Sequence, residues 1–437
     1  MMGTGNSERG TGGRVSPRAA RPMKPSGIPW LGDVPEGWEI DKIKYWFKAT
    51  NTRGNTILQL LSATQKYGMY PQSKLEGIVQ VAEKTDLNTF KTVHIDDFVI
   101  SLRSFQGGIE RSDYEGVCSP AYQTFHAMRE INTGYFKYLF KSHGFIEAIN
   151  RLTVGIREGK TINYSDVREM GVPFPPLPEQ RAIAERIDCE VARVDALREK
   201  IKREIERLGD YKKSLIAETV TRGLRKRKMK PSGTPWLGDV PAEWEVTRLQ
   251  WHIEEVTELN CPVKTDFILS LTNDRGVIPY SEKGNQGNKA KEDISGYKIA
   301  FKNSIIANSM NIIIGSVGLS QYYGCVSPVY YVFRAKDSAD IRFINYIFQT
   351  SIFQRELRKY AKGILEIRLR ISASAILKQK IVLPPLPEQR EITAYLDRAV
   401  SRIDVVVARR KTQLEKLEAF KRSLIQEYVT GKREVCL

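Results

Sequence analysis

Apolar residues recur every seven positions in two stretches of the chain. The first holds Ile187, Val194, Ile201, Leu208 and Leu215; the second holds Leu396, Ile403, Leu417 and Leu424, its beat broken by Arg410. Val191, Ile205, Val400, Val407 and Leu414 stand four residues after beat positions. This spacing keeps one stripe of a helix turned toward a partner and is the seam of a coiled coil. Pro178 and Pro387 suit a first helical turn, and Glu179 and Glu388 set negative charge near the positive end of the dipole. Gly223 and Gly431 supply stops. Each helix should run about 40 residues, roughly 60 Å at 1.5 Å per residue. Two such seams in one chain have each other as partners. Elsewhere the apolar runs are short. Ile57–Leu61, Phe98–Leu102, Phe267–Leu271 and Ser304–Ala307 predict strands between Gly- and Asn-containing loops, and Tyr135–Ile149 and Ile341–Lys359 have helical spacing. They belong to two mixed α/β modules, at about residues 24–174 and 230–383.

The chain repeats itself. MKPSGIPWLGDVPEGW from Met23 to Trp38 returns as MKPSGTPWLGDVPAEW from Met229 to Trp244. PPLPEQRAIAERID from Pro175 to Asp188 returns as PPLPEQREITAYLD from Pro384 to Asp397. Weaker echoes lie between, such as Ser119-Pro120-Ala121-Tyr122 and Ser327-Pro328-Val329-Tyr330. A repeat this long is a duplicated domain, not a solenoid. The expected layout is a disordered tail at 1–22, a module at 23–175, a long helix at 176–223, a linker and second module at 224–383, and a second long helix at 384–437. The basic run Arg222–Lys230 is expected to be a flexible link. Trp30, Trp38, Trp236 and Trp244 are expected to pin folded edges. The fold class is α+β, two mixed modules separated by two long antiparallel coiled-coil helices. Antiparallel pairing would place the modules at opposite ends of a rod and give the chain an internal pseudo-two-fold axis.

Composition adds a partner. The 437 residues are 41% hydrophobic, enough for real cores, and carry a formal net charge of +17, which points to an anionic partner, nucleic acid first. No apolar run is long enough to span a bilayer, and the sequence shows no secretory h-region. Cys118, Cys189, Cys261, Cys325 and Cys436 are far apart, with no metal-ligand spacing, which fits structural thiols in a reducing cytoplasm. Candidate chemistry is thin. Gly155–Thr161 is one residue short of a phosphate loop, and its counterpart around Gly363 lacks the lysine. The four histidines are scattered, and neither Asp96-Asp97 nor Glu254-Glu255 has a nuclease partner. An Asn/Asp-Pro-Pro-aromatic turn and a glycine-rich cofactor loop, the marks of an amino-methyltransferase, are absent from the sequence. No catalytic or metal site is expected.

Dimeric readers place half-sites about one DNA turn, roughly 34–36 Å, apart or at multiples of that, so a rigid spacer between two readers predicts a bipartite target with an unread gap. Base readers must be polar or aromatic side chains on loops that reach a groove. In the first module these are Lys66, Tyr67, Arg103, Gln106, Arg157 and Lys160; in the second, Asn273, Arg275, Tyr280, Asn308, Asn311 and Arg368. Lys66-Tyr67 stands against Asp274-Arg275, and Leu102-Arg103-Ser104 against Asn308-Ser309-Met310, so the target is expected to be asymmetric.

From about Lys24 to its end the chain resembles the specificity subunit of type I restriction-modification systems. The WLGDVPxxW words that open each module and the PPLPEQR words that close it carry the resemblance, together with the order recognition domain, helix, recognition domain, helix. The family implies a double-stranded DNA partner read in two halves. It also implies two methyltransferase subunits docked on the helices, and motor/nuclease subunits beyond them. S-adenosylmethionine, ATP and Mg would then belong to those partners, with no cofactor in this chain. The seam residues named above are the expected docking stretch.

Overall fold

The computed structural model describes residues 21–435 except 56, 65–66, 76–86, 103–106, 153–161, 273–274, 285–289 and 363–368. The chain divides into two compact units, Met1–Glu199 with Gln413–Leu437, and Lys200–Thr412.

The first unit is built on a four-stranded antiparallel sheet, in the order Phe47–Thr50, Tyr122–Ala127, Phe98–Ser101, Glu110–Arg111. Helices α1 (Thr133–Leu139), α2 (His143–Arg151) and α3 (Tyr164–Arg168) accompany it. Strand Gly171–Phe174 returns to pair with Glu39–Lys42, and the long helix α4 (Leu177–Arg222) leaves from there. The second unit repeats this plan with strands Ile253–Glu255, Tyr330–Ala335, Ile305–Asn308 and Val317–Leu319. Its helices are α5 (Ile341–Gln349), α6 (Ser351–Arg358) and α7 (Ala373–Leu377). Its closing strand Lys380–Leu383 pairs with Glu245–Arg248 and leads into α8 (Leu386–Val429).

The two long helices, 46 and 44 residues, exceed the expected length slightly; α4 ends at Arg222, before Gly223, and α8 at Val429, short of the expected bound at 437. Gly223 and Gly431 take positive φ, +76° and +71°, one and two residues past the helix ends. In the first unit α4 and α8 run antiparallel: Asp195 meets Lys421 at 2.8 Å, and Arg198 meets Glu418 at 2.9 Å. In the second, Glu204 meets Arg410 at 3.1 Å and Lys212 meets Asp404 at 2.7 Å. Ile187, Val194, Ile201, Leu396, Ile403 and Leu424 are buried, and Leu208, Leu215 and Leu417 half-buried. The beat-breaking Arg410 is thus a cross-helix ion pair. The helices also complete the modules. Ile183 and Ile187 of α4 share the first core with Leu424, Tyr428 and Val429 of α8. Ile216 and Val220 of α4 share the second with Ile392 and Leu396 of α8.

Several expectations shift. The helical stretches Tyr135–Ile149 and Ile341–Lys359 each split in two, because Ser142 and Thr350 adopt extended backbone, with ψ of 147° and 135°. Their hydroxyls donate to Leu139 O and Ile347 O at 2.7 and 2.8 Å, capping one helix as the next begins. The strands expected at Ile57–Leu61 and Phe267–Leu271 lie later, at Leu61–Thr64 and Leu269–Thr272. Each forms a tight hairpin whose register is set by a positive-φ glycine, Gly68 or Gly276. Strand register matches Ser101, not Leu102, with Asn308, since these residues pair with the equivalent Tyr122 and Tyr330. The run Arg222–Lys230 is no loose link: Arg225 binds Glu391 at 2.9 Å, and Arg227 binds Glu388 at 2.7 Å. At the amino end, residues 1–20 of the expected tail lie outside the described residues, but Arg21 binds Glu179, and Pro22 O accepts from Glu36 N at 3.1 Å.

Candidate nucleic-acid interface

The repeated words build a clamp in each unit. Trp38 and Trp244 are fully buried, and their Nε1 atoms donate to Glu179 and Glu388, each at 3.0 Å. Arg21 and Arg227 pair with the same carboxylates and lie over the same indoles, 5.8 Å from each ring centre. The next residue of the word, Gln180 or Gln389, accepts from Asn132 N or Asp340 N at 2.8 Å and so fixes the start of α1 or α5. Trp30 packs on Phe145 and Trp236 on Phe353. All four tryptophans are therefore structural, as expected. Tyr138 and Tyr346 donate to Asp188 and Asp397 of the long helices; burial first, and then the adjacent carboxylate, raises both phenols well above their usual range.

On this frame the expected base readers are scattered. Lys66, Arg103, Gln106, Arg157, Lys160, Asn273 and Arg368 lie outside the described residues, as does Cys436. Tyr67 occupies the turn of the Leu61–Pro71 hairpin, 47% exposed, its N–H donating to Thr64 Oγ1 at 2.9 Å. Arg275 takes the matching place, but its guanidinium folds back onto Glu282 O at 2.8 Å. Tyr280 is a strut, its hydroxyl accepting from Ala290 N at 2.8 Å. Asn308 accepts from Met310 N at 3.0 Å, and Asn311 is half-buried at the start of the Ile312–Ile314 turn. Of the two, Asn308 shapes the backbone through its side chain.

Two clefts gather residues that, Tyr67 apart, sequence reasoning missed. In the first unit a cleft of about 310 Å³ is lined by Tyr67, Tyr70, Tyr114, Glu110, Lys137 and Lys141, among others. The rings of Tyr67 and Tyr70 are 5.0 Å apart, and Tyr114 stands edge-on to Tyr70 at 5.6 Å. Glu110 is buried against the Lys141 ammonium; burial raises its carboxyl, and Lys141 opposes that rise. In the second unit a cleft of about 540 Å³ is lined by Lys359, Tyr360, Lys362, Arg370 and Tyr331. Lys362 and Arg370 exchange backbone hydrogen bonds at 2.7 and 2.8 Å. Lys137 of α1 with Lys141 just past its end, and the cations flanking Gly363, were the available sequence signals. Their reading depended on knowing which faces the sheet leaves open.

The long helices carry a further repeated surface. Three residues past seam positions stand Leu197 and Tyr211 on α4 and Val406 and Phe420 on α8, all exposed. One residue before seam positions stand Arg193, Lys200 and Arg207, matched by Arg402, Arg409 and Lys416, again exposed. At 3.6 residues per turn these offsets fall about 60° and 100° from the seam on the same flank. Leu197 and Phe420 belong to the first unit, Tyr211 and Val406 to the second.

A model of the type I restriction modification DNA specificity domain matches the chain twice, over residues 35–207 and 241–416. The chain belongs to this family. As a family member it is 23% identical to a putative type I restriction enzyme MjaX specificity subunit of Methanocaldococcus jannaschii, over 93% of this chain and 96% of that protein. It is 24% identical to the MjaVIII specificity subunit of the same organism, over 92% and 94%. A solved chain from work on assembly and conformational transition of the type I R-M system shares its fold, with a TM-score of 0.69, 16% identity, and coverage of 92% and 99%. The HsdS subunit of Thermoanaerobacter tengcongensis gives 0.50 at 17% identity, covering 92% and 98%. This type I specificity protein has, among its described residues, no helix long and apolar enough to cross a membrane.

Proposed function

We propose that the chain reads an asymmetric, bipartite DNA sequence, one half-site per module, and carries two modification subunits together with the motor and nuclease subunits of a type I restriction-modification complex. The observation that carries this reading is the contrast within the duplication. The clamps of Trp, Glu, Arg and Gln match residue for residue in both units, while the clefts differ in composition and place. Identical frames with different open surfaces suit two readers of two different half-sites. The excess of positive charge suits the phosphate backbone, and Lys362 and Arg370 are suited to it in the second module. The scaffolding half rests on the helix flanks. An apolar pair bordered by cations occurs once in each unit, with matching chemistry, which fits a partner present twice that offers an apolar contact inside an acidic rim. Chemistry belongs to those partners, with S-adenosylmethionine, ATP and Mg, in the cytoplasm where the DNA lies.

Mapping methylated bases in DNA modified by the assembled complex tests the reading. Two unlike short half-sites with a constant gap are expected, and replacing residues 24–174 by another such module should change one half alone. Equal affinity for cognate and random duplex at physiological salt would refute it.

A further inference from the structure

We infer that the cleft of the first module is where its half-site is read, through a cytosine or adenine amino group offered to Glu110 and a sugar–base edge laid against Tyr67, Tyr70 and Tyr114. This rests on the bipartite reading above and assigns its first half to residues.

The chemistry of the cleft selects the ligand. Tyrosines that only filled a core would be buried; these three are half-buried or exposed and line open space. Their mutual geometry, with a tilted pair at 5.0 Å and an edge contact at 5.6 Å, presents ring faces and hydroxyls together. Rigid, amphipathic rings of this kind give contact area at low entropic cost. Glu110 supplies the polar readout. An ionised carboxylate only accepts hydrogen bonds, and with several lone pairs it can hold Lys141 and still take a base amino group. In the major groove that selects cytosine N4 or adenine N6 over the acceptors of guanine and thymine. Lys137, one turn before Lys141, adds a cation for a flanking phosphate.

The site is built in advance. Arg111, next to Glu110, is held by Asp96 at 3.3 Å and by Asp113. Gly68 sits at φ +69° with Arg111 O only 2.8 Å from where a Cβ would stand, so hairpin and wall meet at one fixed distance. The second module lacks most of this chemistry at the matched positions. Arg275, Ile278, Gly318, Asn345 and Gln349 replace Tyr67, Tyr70, Glu110, Lys137 and Lys141, and Asn345 is buried; Tyr114 alone keeps its type, as Tyr322 in the matching serine turn. The cleft therefore belongs to one half-site only.

The test uses the full chain in complex with its modification partner. Three duplexes are compared: the target obtained by methylation mapping, and two derivatives with either half-site scrambled. Tyr67→Ala and Tyr114→Ala should weaken binding to the intact target about tenfold or more. They should leave affinity for the duplex with the first half scrambled unchanged, which also reports an intact fold. Glu110→Gln, which adds a donor, should alter base preference at one position of the first half-site. Parent-like affinity in the tyrosine variants, equal losses on all three duplexes, or a preference change in the second half-site would each overturn the assignment. A parent complex indifferent to scrambling of either half would instead bring down the bipartite reading itself.

Discussion

At the scale of single residues, the repeated words are explained by what their polar atoms hold. Glu179 looks in sequence like a residue placed for the helix dipole. In the fold it is a buried acceptor for the Trp38 indole and the Arg21 guanidinium, and Glu388 serves Trp244 and Arg227 in the same way. Removing either carboxylate strands a buried indole N–H and takes the guanidinium's nearest partner, Arg227 keeping only Glu243 at 3.5 Å. We expect Glu179→Ala or Glu388→Ala to cost about 2–3 kcal/mol, below the figure for a fully buried pair because Arg21 and Arg227 keep some solvent exposure. Chemical denaturation of the purified chain reads this directly, and a change below 0.5 kcal/mol, the ordinary surface scale, would contradict it. The tryptophans were legible as structural because they recur inside fixed words. Arg21 was not, since it lies in a Gly-, Ser- and Arg-rich stretch whose composition suggests a tail. Only its distance from Trp38, equal to that of Arg227 from Trp244, gives it away.

At the scale of elements, periodicity revealed the long helices and concealed the short ones. A heptad seam repeats often enough to fix both helices, their starts and their glycine stops. The apolar spacing around Ser142 and Thr350 continues across the break, so nothing in the pattern marks two helices; a hydroxyl returning to the preceding carbonyl does. The open clefts were least legible, because an exposed polar residue joins a cleft only through the fold around it. Asn308 and Tyr280 each accept a local backbone N–H, a role that only the folded turn reveals. The stops do more than end helices. A Cβ on Gly431 would stand 2.4 Å from Pro35 Cδ and 3.0 Å from Trp38; one on Gly223 would stand 2.9 Å from Trp244. Both glycines also hold positive φ. Each helix end is thus seated against a word that opens a module. Gly431→Ala should destabilise the chain by about 1–3 kcal/mol through backbone strain and overlap together. Gly209, mid-helix with open space around it, is the control: Gly209→Ala should stabilise by up to about 1 kcal/mol. Melting curves of the two variants should move in opposite directions.

At the scale of the whole molecule, the consequence of duplication is stoichiometry. Each helix flank combines an aliphatic side chain from one copy of the repeat with an aromatic one from the other: Leu197 with Phe420 in the first unit, Val406 with Tyr211 in the second. The arginines and lysines beside them match between copies, as do Ser214 and Ser423. Solvation alone would preserve charge at these positions but would not place an exposed aromatic at the same point twice. If each flank receives one modification subunit, the two sites can be removed separately. Phe420→Glu deletes the apolar contact and repels an acid-rimmed partner at one flank, and Tyr211→Glu does the same at the other. Because both residues are exposed, neither change should shift the melting of the free chain by more than about 0.5 kcal/mol. Native mass spectrometry of the purified complexes should then count two modification subunits on the parent chain, one on each single variant, and none on the double variant. Two subunits retained by both single variants would move the docking surface off this flank. Loss of both subunits in a single variant would mean that the partners bind as one cooperative body rather than as two independent guests.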